Sequence, residues 1–338
     1  MSNSVVINQY TLGMGNNVDI QSTCLNVIYG TDINYQFGAG ISSVSLLINN
    51  PDISFRFHFF LNSISEFFLK KLESIANKYS TEFIVYELDD IELNKLPASN
   101  IWSSAMYFRL VALDYLSANY DYALYLDADV ICHSELNLDI NLIKNSVCGV
   151  VADDLTVRSK SGKRLELSEL NNSYFNSGVM LVNLKKWHEL EITQQCFSLL
   201  SQPNAKDKYK YPDQDVLNIL LIDKKILLDS KFNTIYTLKN ELHDKTHEKY
   251  KKIITDKVAL IHYTGLTKPW HTWANYPSSQ PFYIALEKSP WTYNDLKPAT
   301  KMVEKKKEYK HLLKQGKLIA GLISGLQYIY VKHFGKKR

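Results

Sequence analysis

Residues 123–132 read ALYLDADVIC. Four apolar residues run straight into Asp-Ala-Asp, and the chain then turns apolar again. A run of this kind suits a buried strand, yet it ends on Asp127 and Asp129. In a parallel sheet the carboxyl ends of strands are where ligands bind. Two aspartates at i and i+2 of an extended segment point to the same side. Close carboxylates repel, so they need a shared proton or a cation, and hard oxygen ligands suit Mg²⁺ or Mn²⁺. The D-x-D pattern is cheap by itself, and a second copy stands at Asp213 and Asp215. What distinguishes the first is its place at the end of an apolar strand.

Working outward, strand-like and helix-like segments alternate. CLNVIYG (24–30), SFRFHFFL (54–61) and TEFIVYEL (81–88) have the apolar, aromatic character of strands. Helices are predicted from 38–50, over about 64–79, and across SSAMYFRLVALDYL (103–116). Beyond the Asp pair, VCGVVADD (147–154) and KVALIHYTG (257–265) read as strands, and YFNSGVMLVNLKKW (174–187) as a turn and strand. YPDQDVLNILL (211–221) reads as a loop that becomes a helix. The alternation predicts an α/β fold around a mainly parallel sheet. No internal repeat is visible, and the body is expected to end between Tyr276 and Pro290, where Pro and aromatic residues cluster.

The chain has 338 residues, 45% of them hydrophobic, enough for one large core or two ordinary ones. With 22% charged residues and few Gly and Pro, wholesale disorder is excluded. Cys24, Cys132, Cys148 and Cys196 form no CxxC pair and sit in apolar runs, so reduced thiols in a cytosolic protein are expected. The first twenty residues show neither a basic n-region nor a long apolar h-region, and no run reaches 18 apolar residues. Neither a secretory signal nor a transmembrane helix is expected. Residues 301–338 carry eleven Lys/Arg and two Glu, or +9, which leaves −5 for the remaining 300 residues of a +4 chain. The positive charge belongs to the tail.

Other residues draw attention. HYTGLTKPWH places His262 at a strand end, then Gly265 and Lys268 at three-residue spacing. Glycine allows backbone to approach a phosphate and lysine supplies countercharge, so a metal between Asp127, Asp129 and His262 with Lys268 nearby makes a diphosphate site. A structural histidine is the plainer alternative. Arg109 lies among Tyr107, Phe108, Leu110 and Val111 and needs either an acidic partner or a ligand. Asp213, Gln214 and Asp215 stand at a helix start, where they either cap the helix or hold sugar hydroxyls. In FNSGV (175–179), Asn176 is either a turn residue or a site residue.

Taken in order, YGTDINY, YFRL, YLDAD, YFNSGV, YPDQDVLN and HYTGLTKPWH resemble the family-8 retaining glycosyltransferases of the GT-A fold, over about residues 24–290. The branch that builds the outer core of bacterial lipopolysaccharide looks closest. The resemblance implies a GT-A domain over 1–290 and a membrane-association tail over 291–338. It implies a divalent metal on Asp127, Asp129 and His262, completed by the diphosphate of a UDP-sugar. Gly30, Thr31, Asp32, Ile33, Asn34 and Tyr35 would hold uridine. Ile33 departs from the pattern, since some members carry a second acidic residue there. Ala128 would line the donor site, and Gly265 and Lys268 would grip the phosphates. Arg109, Asn176, Asp213 and Gln214 would line the sugar pocket. Asp215 and Gln214 are the candidate nucleophiles if retention proceeds by double displacement; attack from the front face by the acceptor hydroxyl is favoured instead.

Within that branch YKYPDQD, NTIYT and HYTGLTKPWH look most like an α-1,2-glucosyltransferase, with a galactosyltransferase as runner-up. A sugar-nucleotide-binding protein without turnover would not need all of Asp127, Asp129 and His262. A nicotinamide-dependent Rossmann enzyme would need GxGxxG after the first strand, and Gly13-Met14-Gly15 lacks the third glycine. The tail pairs lysines with Leu-Ile-Ala-Gly-Leu-Ile, Tyr328 and Tyr330. That composition suits an anionic leaflet, with a solvated basic helix, a nucleic-acid contact or a helix docked on the body as alternatives, and the resemblance implies the cytoplasmic face of the inner membrane. Truncation near residue 300 is expected to release the enzyme while preserving catalysis on a short acceptor.

Overall fold

The computed structural model describes residues 5–13, 24–98 and 103–334. Its strands are β1 (Val6–Leu12), β2 (Leu25–Thr31), β3 (Phe55–Leu61), β4 (Glu82–Leu88), β5 (Tyr122–Leu126), β6 (Val130–Cys132), β7 (Cys148–Ala152), β8 (Phe175–Asn183), β9 (Lys225–Leu227), β10 (Thr234–Tyr236) and β11 (Leu260–Tyr263). Helices longer than one turn are α1 (Gln36–Asn49), α2 (Glu66–Tyr79), α3 (Phe108–Leu116), α4 (Leu155–Leu165), α5 (Leu184–Glu189), α6 (Ile192–Leu200), α7 (Pro212–Leu220), α8 (Gln280–Lys288), α9 (Met302–Lys314) and α10 (Leu318–Phe334).

The apolar runs explain the layering. Val27 and Tyr29 of β2 pack into one core and Ile28 into another. A strand covered on both faces has to be apolar throughout. Phe37, Val44, Phe68, Leu72, Phe282 and Leu286 bring α1, α2 and α8 to the first core. Leu110, Leu113, Cys196, Val216 and Leu217 bring α3, α6 and α7 to the second. The large sheet runs β1-β4-β3-β2-β5-β8-β7-β9. β2 to β5 are mutually parallel, whereas β1 runs antiparallel to β4, and β8 to both β5 and β7. The expected α/β architecture is present, on a sheet that is mixed.

A three-stranded sheet, β10-β11-β6, lies beside the large one. The stretch ALYLDADV, expected as one strand, divides between the two. β5 ends at Leu126 and β6 begins at Val130. Asp127-Ala128-Asp129 is therefore a turn and not extended strand, closed by the Val130 N–H donating to the Asp127 carbonyl at 3.1 Å. A chain that leaves one sheet for another has to bend. Each end of this turn is tied to a different sheet: Asp127 N–H donates to Gly178 O at 2.8 Å, and Tyr263 N–H to Asp129 O at 3.0 Å.

Two further differences have simple causes. Strand β1 forms on the edge of β4, outside the predicted elements. The segment read as strand to Trp187 turns helical at Leu184, because the Asn183 side chain accepts the Lys186 N–H at 3.1 Å and caps α5. Residues beyond 290 continue to pack on the body. Trp291 lies so close to Gly40 that a Cβ there would fall 2.3 Å from its ring. Lys297 exchanges backbone hydrogen bonds with Trp270 and Thr272. α9 and α10 then form a hairpin around Gly316 (φ +74°), with Ser324 Oγ donating to Glu308 at 2.7 Å. The cysteines are free, and all but Cys24 are buried. Among the described residues no helix is long and apolar enough to cross a membrane.

Candidate active site

The sheet register assembles the site. His262 pairs with Val130 across β11 and β6, so its imidazole meets the residue before Val130. Its Nε2 lies 3.1 Å from Asp129 Oδ1 and 3.9 Å from Asp127 Oδ2. One ligand atom from each of Asp127, Asp129 and His262 falls within 4.8 Å of the others. This is the convergence the D-x-D pattern called for, reached through a turn.

The hydrogen bonds settle how the imidazole is presented. Gly178 N–H donates to Asn176 Oδ1 at 3.0 Å, which makes that atom an acceptor. Asn233 therefore turns its Nδ2 to Asn176, at 3.1 Å, and its Oδ1 to His262 Nδ1, at 3.0 Å. Nδ1 is thus placed to donate to Asn233, and Nε2 faces the carboxylates. An outer hydrogen bond of this kind orients metal-bound histidines generally. Gly178 also keeps the space clear: a Cβ there would lie 2.3 Å from His262 Cε1 and 2.7 Å from Asp127 Oδ2. Two carboxylate oxygens and one oriented imidazole nitrogen, beside a glycine that cannot be larger, fit a divalent ion.

Cations hold the two carboxylates in place. Lys268 Nζ donates to Asp129 Oδ2 and, at 2.9 Å, to Tyr263 O. Burial opposes the Asp129 charge, but Lys268 and His262 outweigh it and hold the carboxyl below the usual range. Arg109 donates to Asp127 at 2.8 Å and to Ser177 O at 2.6 Å, and pairs with Asp213 at 3.1 Å. Tyr125 adds a hydrogen bond to Asp127 at 2.9 Å. Burial disfavours the Arg109 charge, yet the surrounding carboxylates more than compensate and raise its pKa. Arg109 is thus an ion-pair hub between Asp127 and Asp213. Burial pushes the Asp213 carboxyl up despite Arg109, with Asp127 adding to the rise.

Asp213, Gln214 and Asp215 open α7 behind Pro212, where the helix dipole favours acids. They do not converge. Gln214 accepts the Ser177 N–H at 3.0 Å and donates to Asp153 and Tyr174, each at 3.2 Å. Asp215 is wholly buried and accepts from both Arg164 nitrogens at 2.8 Å, from Tyr174 OH at 2.6 Å and from Tyr211 N–H at 3.0 Å. Asp215 therefore belongs to an internal ion pair.

The expected base-binding loop lies at the end of β2. Gly30 packs on the backbone of Phe108 and Arg109, and Thr31 is buried. Asp32 accepts from Asn34 N–H at 2.8 Å and Ser103 Oγ at 3.1 Å. Ile33, Asn34 and Tyr35 are exposed, and the Tyr35 ring meets Trp270 edge-on at 5.6 Å. Ala128 is buried at the centre of the turn, and Gly265 adopts φ +89°. Sequence reading missed Asn233, Gly178, Tyr125, Asp153 and Lys297, which reaches the Asn34 carbonyl. Gly178, Tyr125, Asn233 and Asp153 lie inside stretches quoted above, FNSGV, YLDAD, NTIYT and VCGVVADD, but nothing local gave them a site role, and only Lys297 lies outside all of them.

The model of glycosyl transferase family 8 matches residues 26–274, and that of the family 8 C-terminal region matches 276–332. The chain belongs to glycosyl transferase family 8. It is accordingly a retaining glycosyltransferase, and the family's need for a divalent metal agrees with the donor set. The chain is 44% identical to a lipopolysaccharide 1,2-glucosyltransferase of Escherichia coli (strain K12), over 93% of each chain. It is 34% identical to a lipopolysaccharide 1,3-galactosyltransferase of Salmonella typhimurium, over 92% of this chain and 91% of that one. The crystal structure of the galactosyltransferase LgtC with donor and acceptor sugar analogs superposes with a TM-score of 0.66 at 25% identity, covering 79% of this chain and 97% of that one. The fold is the GT-A fold of that neighbour.

Proposed function

We propose that the protein transfers glucose from UDP-glucose to a hexose of the lipopolysaccharide core, forming an α-1,2 linkage. The observation that carries this reading is the 44% identity, over 93% of both chains, to a lipopolysaccharide 1,2-glucosyltransferase. The 34% identity to a 1,3-galactosyltransferase supports galactosyl transfer less well.

Asp127, Asp129 and His262 would hold the metal, Mg²⁺ or Mn²⁺ by the hardness of the carboxylates. When bound, a divalent ion supplies positive charge to the diphosphate that leaves. The charges agree in sign: Arg109 is shared between Asp127 and Asp213 and Lys268 pairs with Asp129, so three carboxylates face two cations and the site favours further positive charge. Lys268 adds its own charge at the departing phosphate oxygen. The loop from Gly30 to Tyr35 holds the uridine. Asn176, Asp213 and Gln214 surround the hexose, and Arg109 orients Asp127 and Asp213 around it.

Retention follows a front-face course. The acceptor hydroxyl attacks the anomeric carbon on the side that UDP leaves, and its proton passes to the departing phosphate oxygen. Two features support this. Gln214 is an amide, a poor nucleophile, and hydrogen bonds hold both its ends. Asp215 is consumed by Arg164 and Tyr174. A trapped glycosyl adduct on either residue would refute this course.

The tail brings the enzyme to its acceptor. Leu318, Ile319, Leu322, Ile323, Leu326 and Tyr330 form an exposed apolar stripe on α10, and neighbouring lysines suit an anionic surface. We infer from this that the enzyme works at the cytoplasmic face of the inner membrane, where a lipopolysaccharide core acceptor would be met. The deciding experiment offers UDP-glucose and UDP-galactose separately, with truncated lipopolysaccharide and Mg²⁺ or Mn²⁺, and reads the product linkage by NMR. An α-1,2-linked glucose is expected; a galactosyl product overturns the donor assignment.

A further inference from the structure

Away from the catalytic cleft, one surface gathers positive charge without balance. A cleft of about 840 Å³ opens between residues 245–250, residues 275–280 and the turn from α9 to α10. Lys245, Lys314 and Lys317 line it beside His247 and Tyr250, and no carboxylate does. None of these lysines forms an ion pair among the described residues. The acid behind the wall, Glu241, is buried and already engaged by Tyr236 at 2.6 Å, Ser278 at 2.5 Å and His247 Nδ1 at 2.7 Å. His247 Nε2 has no hydrogen-bond partner among the described residues. His247 is also held at φ +56°, a left-handed conformation that a non-glycine residue adopts at a cost and that collects at ligand sites.

A second observation points the same way. On α9, Lys307 stands seven residues before Lys314 and so on the same helix face. Burial, then Lys239, Lys310 and Lys306, hold its amine below the ordinary value. Like charge is therefore crowded along this side of the hairpin. The apolar stripe of α10 begins at Leu318, immediately after Lys317. A basic cleft whose wall ends at Lys317, one residue before the apolar stripe starts, has the two halves that an anionic amphiphile needs.

We propose that this cleft is a headgroup site for the phosphomonoester of an anionic membrane lipid, whose acyl chains run along the apolar stripe of α10. The inference rests on the membrane-surface reading given above. A phosphomonoester offers three acceptor oxygens and nearly two negative charges. Three ammonium groups and the His247 imidazole suit that group better than a phosphodiester, which has fewer free oxygens.

The test uses the full chain in co-sedimentation with phosphatidylcholine vesicles. One set contains phosphatidic acid, and another contains phosphatidylglycerol at matched surface potential. Binding to phosphatidic acid is expected to be about tenfold tighter, or ~1.4 kcal/mol. The triple variant Lys245→Gln, Lys314→Gln, Lys317→Gln should lose that preference while still binding both sets weakly. A control of equal charge, Lys301→Gln, Lys306→Gln, Lys332→Gln, should weaken both and keep the preference. Equal binding of the natural protein to the two sets overturns the headgroup site and leaves the membrane reading standing. No binding to any vesicle overturns both. Displacement by inorganic phosphate at the same concentration as the lipid phosphate makes the occupant free phosphate and overturns the lipid assignment.

Discussion

Replacing Gly178 with alanine probes the site through one methyl group. The added carbon would lie 2.3 Å from His262 Cε1, 2.9 Å from its Nδ1 and 2.7 Å from Asp127 Oδ2. Comfortable carbon contacts lie near 3.5–4.0 Å, so the imidazole has to retreat by about 1 Å. It has nowhere to go without breaking its bond to Asn233, and Asp127 is pinned by Arg109 and Tyr125. Metal ligands tolerate displacements of only ~0.2 Å. Disturbing the support of one ligand typically costs about 10- to 100-fold in metal affinity. Gly178→Ala moves two ligands, so a loss of at least about 100-fold, or ~2.8 kcal/mol, is expected. Titration with Mn²⁺ measured by electron paramagnetic resonance reads the affinity, and kcat/KM against Mn²⁺ concentration reads its consequence. Thermal unfolding should show a loss of about 1–3 kcal/mol from overpacking, with the protein still folded. If Gly178→Ala binds Mn²⁺ as the natural protein does, the site is elsewhere and the reasoning fails.

Arg109→Met should cost about 3–5 kcal/mol in stability, because it strands the buried Asp213 and the half-buried Asp127; urea unfolding measures this, and a change below ~1 kcal/mol would contradict the ion-pair hub. His58 and His271 are pushed down to about 3 by burial, and His311 to about 4. The native state then binds fewer protons than the unfolded chain, whose histidines titrate near 6.5. Their contribution is complete above about pH 6.5 and is lost as pH falls toward 4 and 3, at up to ~1.4 kcal/mol per pH unit for each histidine. Urea unfolding at pH 7.5 and at pH 5 should show that fall; equal stability at the two would count against it. The truncation expected to be harmless near residue 300 removes His311, which is buried against Thr267 and Tyr276 at 3.2 and 2.8 Å. A cut after Gly316 should give a soluble chain active on a short acceptor, whereas a cut after Thr300 should lower the melting temperature; equal melting temperatures would refute the docking role of α9.

The α/β alternation could be read from the sequence because each strand of the large sheet carries its own burial. β2 and β5 are mostly apolar along their buried length, with Asn26 and Thr31 of β2 the polar exceptions, and α2 shows its Phe68, Leu72, Ile75 spacing and its Ser65 cap locally. The metal trio was legible for a similar reason: Asp127, Asp129 and His262 all stand at strand ends. The turn at Asp127–Asp129 was not, since a strand that switches sheets looks no different in composition from one that continues. Edge strand β1 has five exposed residues in its centre and so lacks the apolar signal. Asn233 and Gly178 act through partners 29 and 84 residues away in sequence, and no local pattern records such a pairing. Asp215 shows the reverse failing. It looked like half of a second D-x-D, and only the fold brings Arg164 to it.

Anomalous diffraction from crystals grown with Mn²⁺ and UDP tests the central claim most directly. The account predicts a single strong peak bonded to Asp127, Asp129 and His262 Nε2, with the diphosphate on its open side, and turnover that stops in excess chelator. A manganese peak that avoids His262, or undiminished turnover in chelator, would contradict it.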